Sequence, residues 1–76
     1  MPRYKSDHLT ERQEKILHAI REWVADTGEY PTLMEIGTAV GLKSKSAVHY
    51  QVGQMEWLGA LAHERAGRRN VYRLTY

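Results

Sequence analysis

Seventy-six residues, 42% of them apolar, are enough for one small domain and leave no chain for a second core, so a single domain over residues 1–76 is expected, with 1–8 as a flexible arm. The lack of cysteine excludes disulfide staples and thiolate metal sites. No window approaches the roughly 20 apolar residues that cross a bilayer, and MPRYKSDHLTERQ has no apolar run of a signal sequence, so a soluble, cytoplasmic protein is expected. The net charge of +2 hides an asymmetry: residues 1–42 carry five basic and seven acidic groups, residues 43–76 six and two, which marks the second part as the side to meet a polyanion unless it is only a solvated basic surface.

LTERQEKILHAIREWVADTG reads as a first helix. Thr10 is placed to cap it, Gln13 completes a capping box, and Gly28 supplies a left-handed stop. Ile16, Leu17, Ile20, Trp23, Val24 and Thr27 recur on one face, and the charged residues fall elsewhere. EYPTLMEIGTAVGL gives a second helix of about two turns, with Thr32 and Glu35 as another capping box, Leu33, Ile36 and Val40 inward, and Gly41 at its end. So short a helix does not persist alone and needs its neighbours.

A third helix follows Ser44, which is placed to cap it. At 100° per residue, Val52, Met55 and Leu58 fall within about 80° of Val48 and form a core stripe. Ser46, Tyr50, Gly53 and Trp57 fall opposite, Lys45 and His49 flank them, and Gly59 is the stop. Beyond it the period changes. Leu61 opens a short run, and VYRLTY alternates, with Tyr72, Leu74 and Tyr76 on one face and Val71, Arg73 and Thr75 on the other. RAGRRN lies between, with Gly67 and Asn70 as turn formers, which makes a β-hairpin with a basic tip that must pack on the helices.

Three helices followed by a hairpin, with a tight turn at Gly41, predict an α+β winged helix-turn-helix. In that architecture the start of the last helix enters the major groove, where base edges carry a distinguishable code. The residues presented there are Ser44, Lys45, Ser46, Ala47, His49 and Tyr50. Thr32, Lys43, Arg65, Arg68 and Arg69 are placed for backbone phosphates or an adjacent minor groove. Each has a plainer reading: Ser44 as a cap only, the lysines as solvated surface, the arginines as solubilising charge.

With these residues laid out, the chain resembles the DNA-binding domain of the LexA repressor family. The likeness rests on LTERQEKILHAIR, on TGEYPTLMEIGTAVG and on SKSAVH, and it runs without a gap from residue 9 to residue 59, the basic hairpin following. The resemblance implies a bacterial or phage transcriptional repressor, of the kind that governs the SOS response, whose paired domains bind a palindromic operator. It implies base reading from Ser44, Ser46, Ala47, His49 and Tyr50, wing arginines in support, and a homodimer at least on DNA; separately, the residues lead to the expectation of no cofactor, metal or small-molecule ligand.

The chain departs from the family pattern in two ways. LexA proteins continue into a self-cleaving peptidase domain, whereas here no Ala-Gly cleavage segment follows the hairpin and no Ser/Lys pair can be assigned, so an excised domain and a stand-alone protein are both open and no enzyme is expected. Trp57 and Leu58 stand where the family carries a charged pair, and Gly53 replaces a larger residue at a cost of about 1 kcal/mol relative to Ala. Two readings of Trp57 stand: an apolar patch with Tyr50 or Tyr76 for a second copy or another protein, or core beneath the hairpin. A winged-helix protein-interaction module is accordingly the rival function. His8, His18, His49 and His63 are scattered and show no metal-binding or catalytic spacing.

Overall fold

In the computed structural model, which describes residues 9–75, helices α1 (Glu11–Thr27), α2 (Leu33–Val40) and α3 (Lys45–Trp57) precede strands β1 (Leu61–Ala66) and β2 (Arg69–Leu74). The architecture is a winged helix. Both expected capping boxes are formed, Thr10 with Gln13 and Thr32 with Glu35. Gly28 and Gly41 end α1 and α2 at φ 77° and 78°. After α3, Gly59 turns left-handed at φ 86°, its N–H bonds to Glu56 O, and the N–H of Ala60 reaches Met55 O at 2.9 Å. That 6→1 and 5→2 pair closes the helix in a Schellman motif.

The core gathers Ile16, Leu17 and Ile20 of α1, Ile36 of α2, and Val48, Val52 and Met55 of α3, closed below by Ala60, Leu61 and Tyr72. Fully burying one such aliphatic side chain contributes about 1.5–3 kcal/mol, so these few residues carry the fold. Trp23 and Val24 are half-buried, and Thr27 is exposed, its hydroxyl bonded to Trp23 O at 2.8 Å. Gln13 is buried and uses both ends of its amide: its Oε1 accepts from the N–H of Thr10 and its Nε2 donates to Gln51 of α3, each at 3.1 Å. A residue expected only to cap α1 therefore also ties α1 to α3.

Helices α2 and α3 meet at Gly37. A Cβ there would lie 2.7 Å from Val48 Cγ2 and 3.2 Å from Leu42 O, so the close approach requires glycine. Leu42 packs on the core edge and anchors the turn between them.

The hairpin is antiparallel, running from Leu61 opposite Leu74 to Ala66 opposite Arg69. Its loop is Gly67-Arg68, with positive φ (64°) at Gly67 alone, the type II′ pattern that suits the strand twist. Asn70, expected in the turn, pairs with Arg65 inside the ladder, because two residues complete the loop. The simple alternation of β2 also fails. Tyr72 faces the core as expected, yet Val71 is buried as well. The cause is a third element: Thr32 forms an antiparallel bridge with Val71, and the N–H of Tyr72 donates to Pro31 O at 3.0 Å. The segment before α2 thus pairs with β2. The expected arm 1–8 and Tyr76 lie outside the described residues.

Two glycines in helices give opposite predictions. Gly37→Ala gains helix propensity but drives a methyl into β-branched Val48 and a backbone carbonyl, for a net loss of about 1–2 kcal/mol in denaturant unfolding. A Cβ at Gly53 would meet nothing within 4 Å, so Gly53→Ala raises stability in the same measurement. The gain expected there is about 0.5–1 kcal/mol.

Candidate nucleic-acid interface

The start of α3 is open. Ser44 Oγ accepts from the N–H of Ala47 at 3.4 Å and lies 2.9 Å from Ser46 Oγ, so its capping role and its exposure coexist. Lys43, Lys45, Ser46, His49 and Tyr50 are exposed and Ala47 is half-buried. Free backbone N–H groups and the positive end of the helix dipole add attraction for anions at this terminus. A groove between α2 and α3 opens beside it, with Leu33, Met34, Leu42 and Val48 along it and Lys43 and Lys45 at its edge.

On the wing, Arg68 sits exposed in the turn, and exposed Arg65 donates through Nε to Gly67 O at 3.1 Å. Arg69 is placed differently from the free basic tip expected. Its guanidinium spans both carboxylate oxygens of Glu35, at 2.8 and 3.5 Å, and also reaches Tyr30 O at 3.4 Å. Arg73 pairs with Glu64 across the hairpin at 2.7 Å. Of four arginines from residue 65 onward, two are therefore committed to carboxylates.

Thr32 Oγ1 accepts from the N–H of Glu35 at 3.3 Å, and Glu35 Oε1 accepts from the N–H of Thr32 at 2.8 Å. Partial burial works to raise the Glu35 pKa. The Thr32 N–H and the Arg69 guanidinium outweigh it, and the net effect is a carboxyl held below its ordinary 4.5.

At the far end of α3, Trp57 is 86% exposed and Tyr50 62%, with Gly53 between them on the same stripe. Trp57 is thus not core beneath the hairpin. Tyr72 occupies that place, stacked on His63 with ring centroids 5.0 Å apart. His18 forms an exposed pair with Glu22 at 3.0 Å. Among the described residues no three His, Asp or Glu side chains are grouped to hold a metal ion, and no helix is long and apolar enough to cross a membrane.

Residues 6–69 match the family described as the LexA DNA binding domain. This chain belongs to that family. It is 47% identical over 60 residues to the LexA repressor of Arthrobacter sp. (strain FB24), covering 79% of this chain and 24% of that protein. It is 48% identical over 56 residues to the LexA repressor of Mycobacterium ulcerans (74% and 23%), and 41% identical over 56 to that of Sorangium cellulosum (74% and 24%). The chain spans about a quarter of the length of these LexA repressors. The family match takes in all three helices and the first strand, and reaches Arg69 in the wing.

Within this LexA-family domain, the bond between Glu35 and Arg69 and the bridge between Thr32 and Val71 have no signal in the sequence. The capping box accounts for Glu35 completely, and Arg69 looks like one of three equivalent arginines. Only the register of the hairpin distinguishes it, as the residue directly after the turn.

The lowered Glu35 pKa has a sign. A carboxylate whose folded pKa is depressed contributes stability that is present above its unfolded value of 4.5 and is lost as pH falls through the folded value. Urea unfolding between about pH 3 and 7 should show wild type losing this component on acidification, with Glu35→Gln less stable near pH 7 and flatter below. Parallel curves for the two proteins would show that Glu35 contributes nothing to the acid dependence.

Proposed function

We propose that this domain binds duplex DNA sequence-specifically as the non-catalytic reading module of a transcriptional repressor acting at the nucleoid. The observation that carries the reading is the exposed first turn of α3 in a chain of the LexA DNA-binding family. Lys45, Ser46, Ala47, His49 and Tyr50 meet base edges from the major groove, together with Ser44. Lys43, Thr32, Arg65 and Arg68 engage the phosphate backbone or the neighbouring minor groove, whose potential draws arginine. The concentration of positive charge after residue 42 supports this orientation.

A second reading adds to the first and rests on Trp57. An indole 86% exposed on a helix with no basic residue in its last turn is poorly suited to phosphate. It lies about 16 Å along the axis from Ser46, so one end of α3 can read while the other meets protein. The partner proposed is a second copy of this chain, paired on a palindromic operator, with Gly53 allowing close approach beside Tyr50 and Trp57.

Titration of binding to random duplex against salt tests the first reading. Several neutralised phosphates give a steep negative log–log slope, and Arg68→Ala weakens binding to every sequence while reducing the slope by about one. His49→Ala and Ser46→Ala instead change which sequence wins in selection from a random pool. A selected palindrome supports pairing. Binding that ignores salt ends the DNA reading. For the second reading, sedimentation on operator DNA compares wild type with Trp57→Glu: loss of the two-copy complex in the variant supports the patch, and an unchanged complex removes it.

A further inference from the structure

The arginine after the wing turn is held by a carboxylate that already has another task. Glu35 stands at the third position of α2 and accepts the N–H of Thr32, which closes the capping box. The same oxygen receives Arg69 Nη2 at 2.8 Å, and Arg69 Nη1 lies 3.5 Å from the other. Side-chain exposures of 41% for Arg69 and 29% for Glu35 place the pair partly out of water, where a two-pronged guanidinium contact orients more strictly than a point charge. Around it run the Thr32 bridge to Val71, the Tyr72 N–H bond to Pro31 O, and the Arg69 contact to Tyr30 O. A two-stranded hairpin is marginal by itself and takes its direction from what it is fastened to.

We infer that Glu35 and Arg69 are positioning residues which lock the wing to the first turn of α2, so that the wing's remaining arginines are presented at a fixed angle to the start of α3. This rests on the DNA reading above. Arg69 then acts through the wing rather than as one of the groups touching phosphate. The clamp joins three parts: the cap of α2, the extended segment 30–32, and the strand leading away from Arg68. Neither residue belongs to the buried cluster, so disrupting the pair removes no core side chain.

The sign of one substitution separates this from the alternatives. Glu35→Gln removes a negative charge near the binding surface and keeps a side chain able to cap, because Gln serves in capping boxes as Glu does. If Glu35 only repels phosphate or restrains a DNA-binding Arg69, the change leaves affinity unaltered or raises it. If the pair positions the wing, affinity falls. Binding to duplex selected by the wild type is measured at a temperature where every variant is fully folded by circular dichroism. The expected result is a loss of about 3- to 10-fold for Glu35→Gln and for Arg69→Met, with the double variant within about twofold of the weaker single, since both abolish the same two-pronged ion pair. Tighter or unchanged binding by Glu35→Gln, or additive losses, overturns the proposal.

A DNA-independent readout protects the test. In the free protein, exchange of the Tyr72 amide hydrogen should quicken by about 5- to 10-fold in both single variants while the Val52 amide in α3 keeps its protection. Unchanged Tyr72 exchange overturns the clamp even if DNA affinity falls. Faster exchange in the variants, combined with a wild type that shows no salt-dependent DNA binding, leaves the clamp standing and overturns the DNA reading instead.

Discussion

The first turn of α2 is the mount on which the rest of the molecule is assembled. Two turns of helix have little stability of their own, and this one is held from three sides. Gly37 brings it against Val48 of α3 at a distance no side chain permits. Thr32 and Glu35 close its N-terminus, and the same two residues take the wing, through the Val71 bridge and the Arg69 ion pair. The direction of α3 and the direction of the wing therefore descend from one eight-residue helix. On the function proposed above, the groups that meet bases and those that meet the backbone lie on different elements, and a common support gives them a fixed relation.

Much of this was legible in the residues. Both capping boxes, the glycine stops and most of the 3.6-residue core stripes are local signals whose physics acts within one or two turns, and they formed where expected. The stripes fail at their ends, where Thr27 is exposed and Leu58 is the half-buried C-cap of α3, outside the core cluster. The exposed stripe of α3 followed from the same periodicity, and the structure removes the core reading of Trp57 by leaving it in solvent. The failures share a cause. Val71 is buried by Thr32, Gln13 reaches Gln51 across 38 residues, and Arg69 reaches Glu35 across 34. Such partners depend on how elements dock, and no period within one element encodes them. Asn70 was misplaced for a smaller reason: two residues suffice for a type II′ loop, so a second turn former had no turn to make.

Electrostatics and packing divide the labour along α3. At its beginning, serine and lysine side chains, open N–H groups and the helix dipole all favour an anion. At its end the dipole reverses, no basic residue compensates, and the exposed surface is aromatic. The two ends of this thirteen-residue helix thus differ in chemistry, and its length keeps the two proposed contacts apart.

The central claim is that the beginning of α3 and the tip of the wing engage one duplex together. Amide shift mapping by NMR during titration with a short selected duplex tests it most directly. Concerted changes at residues 43–50 and 65–68, saturating at a common concentration, are the predicted result. Perturbations confined to α1 or to the surroundings of Trp57, with both of those segments silent, would contradict it.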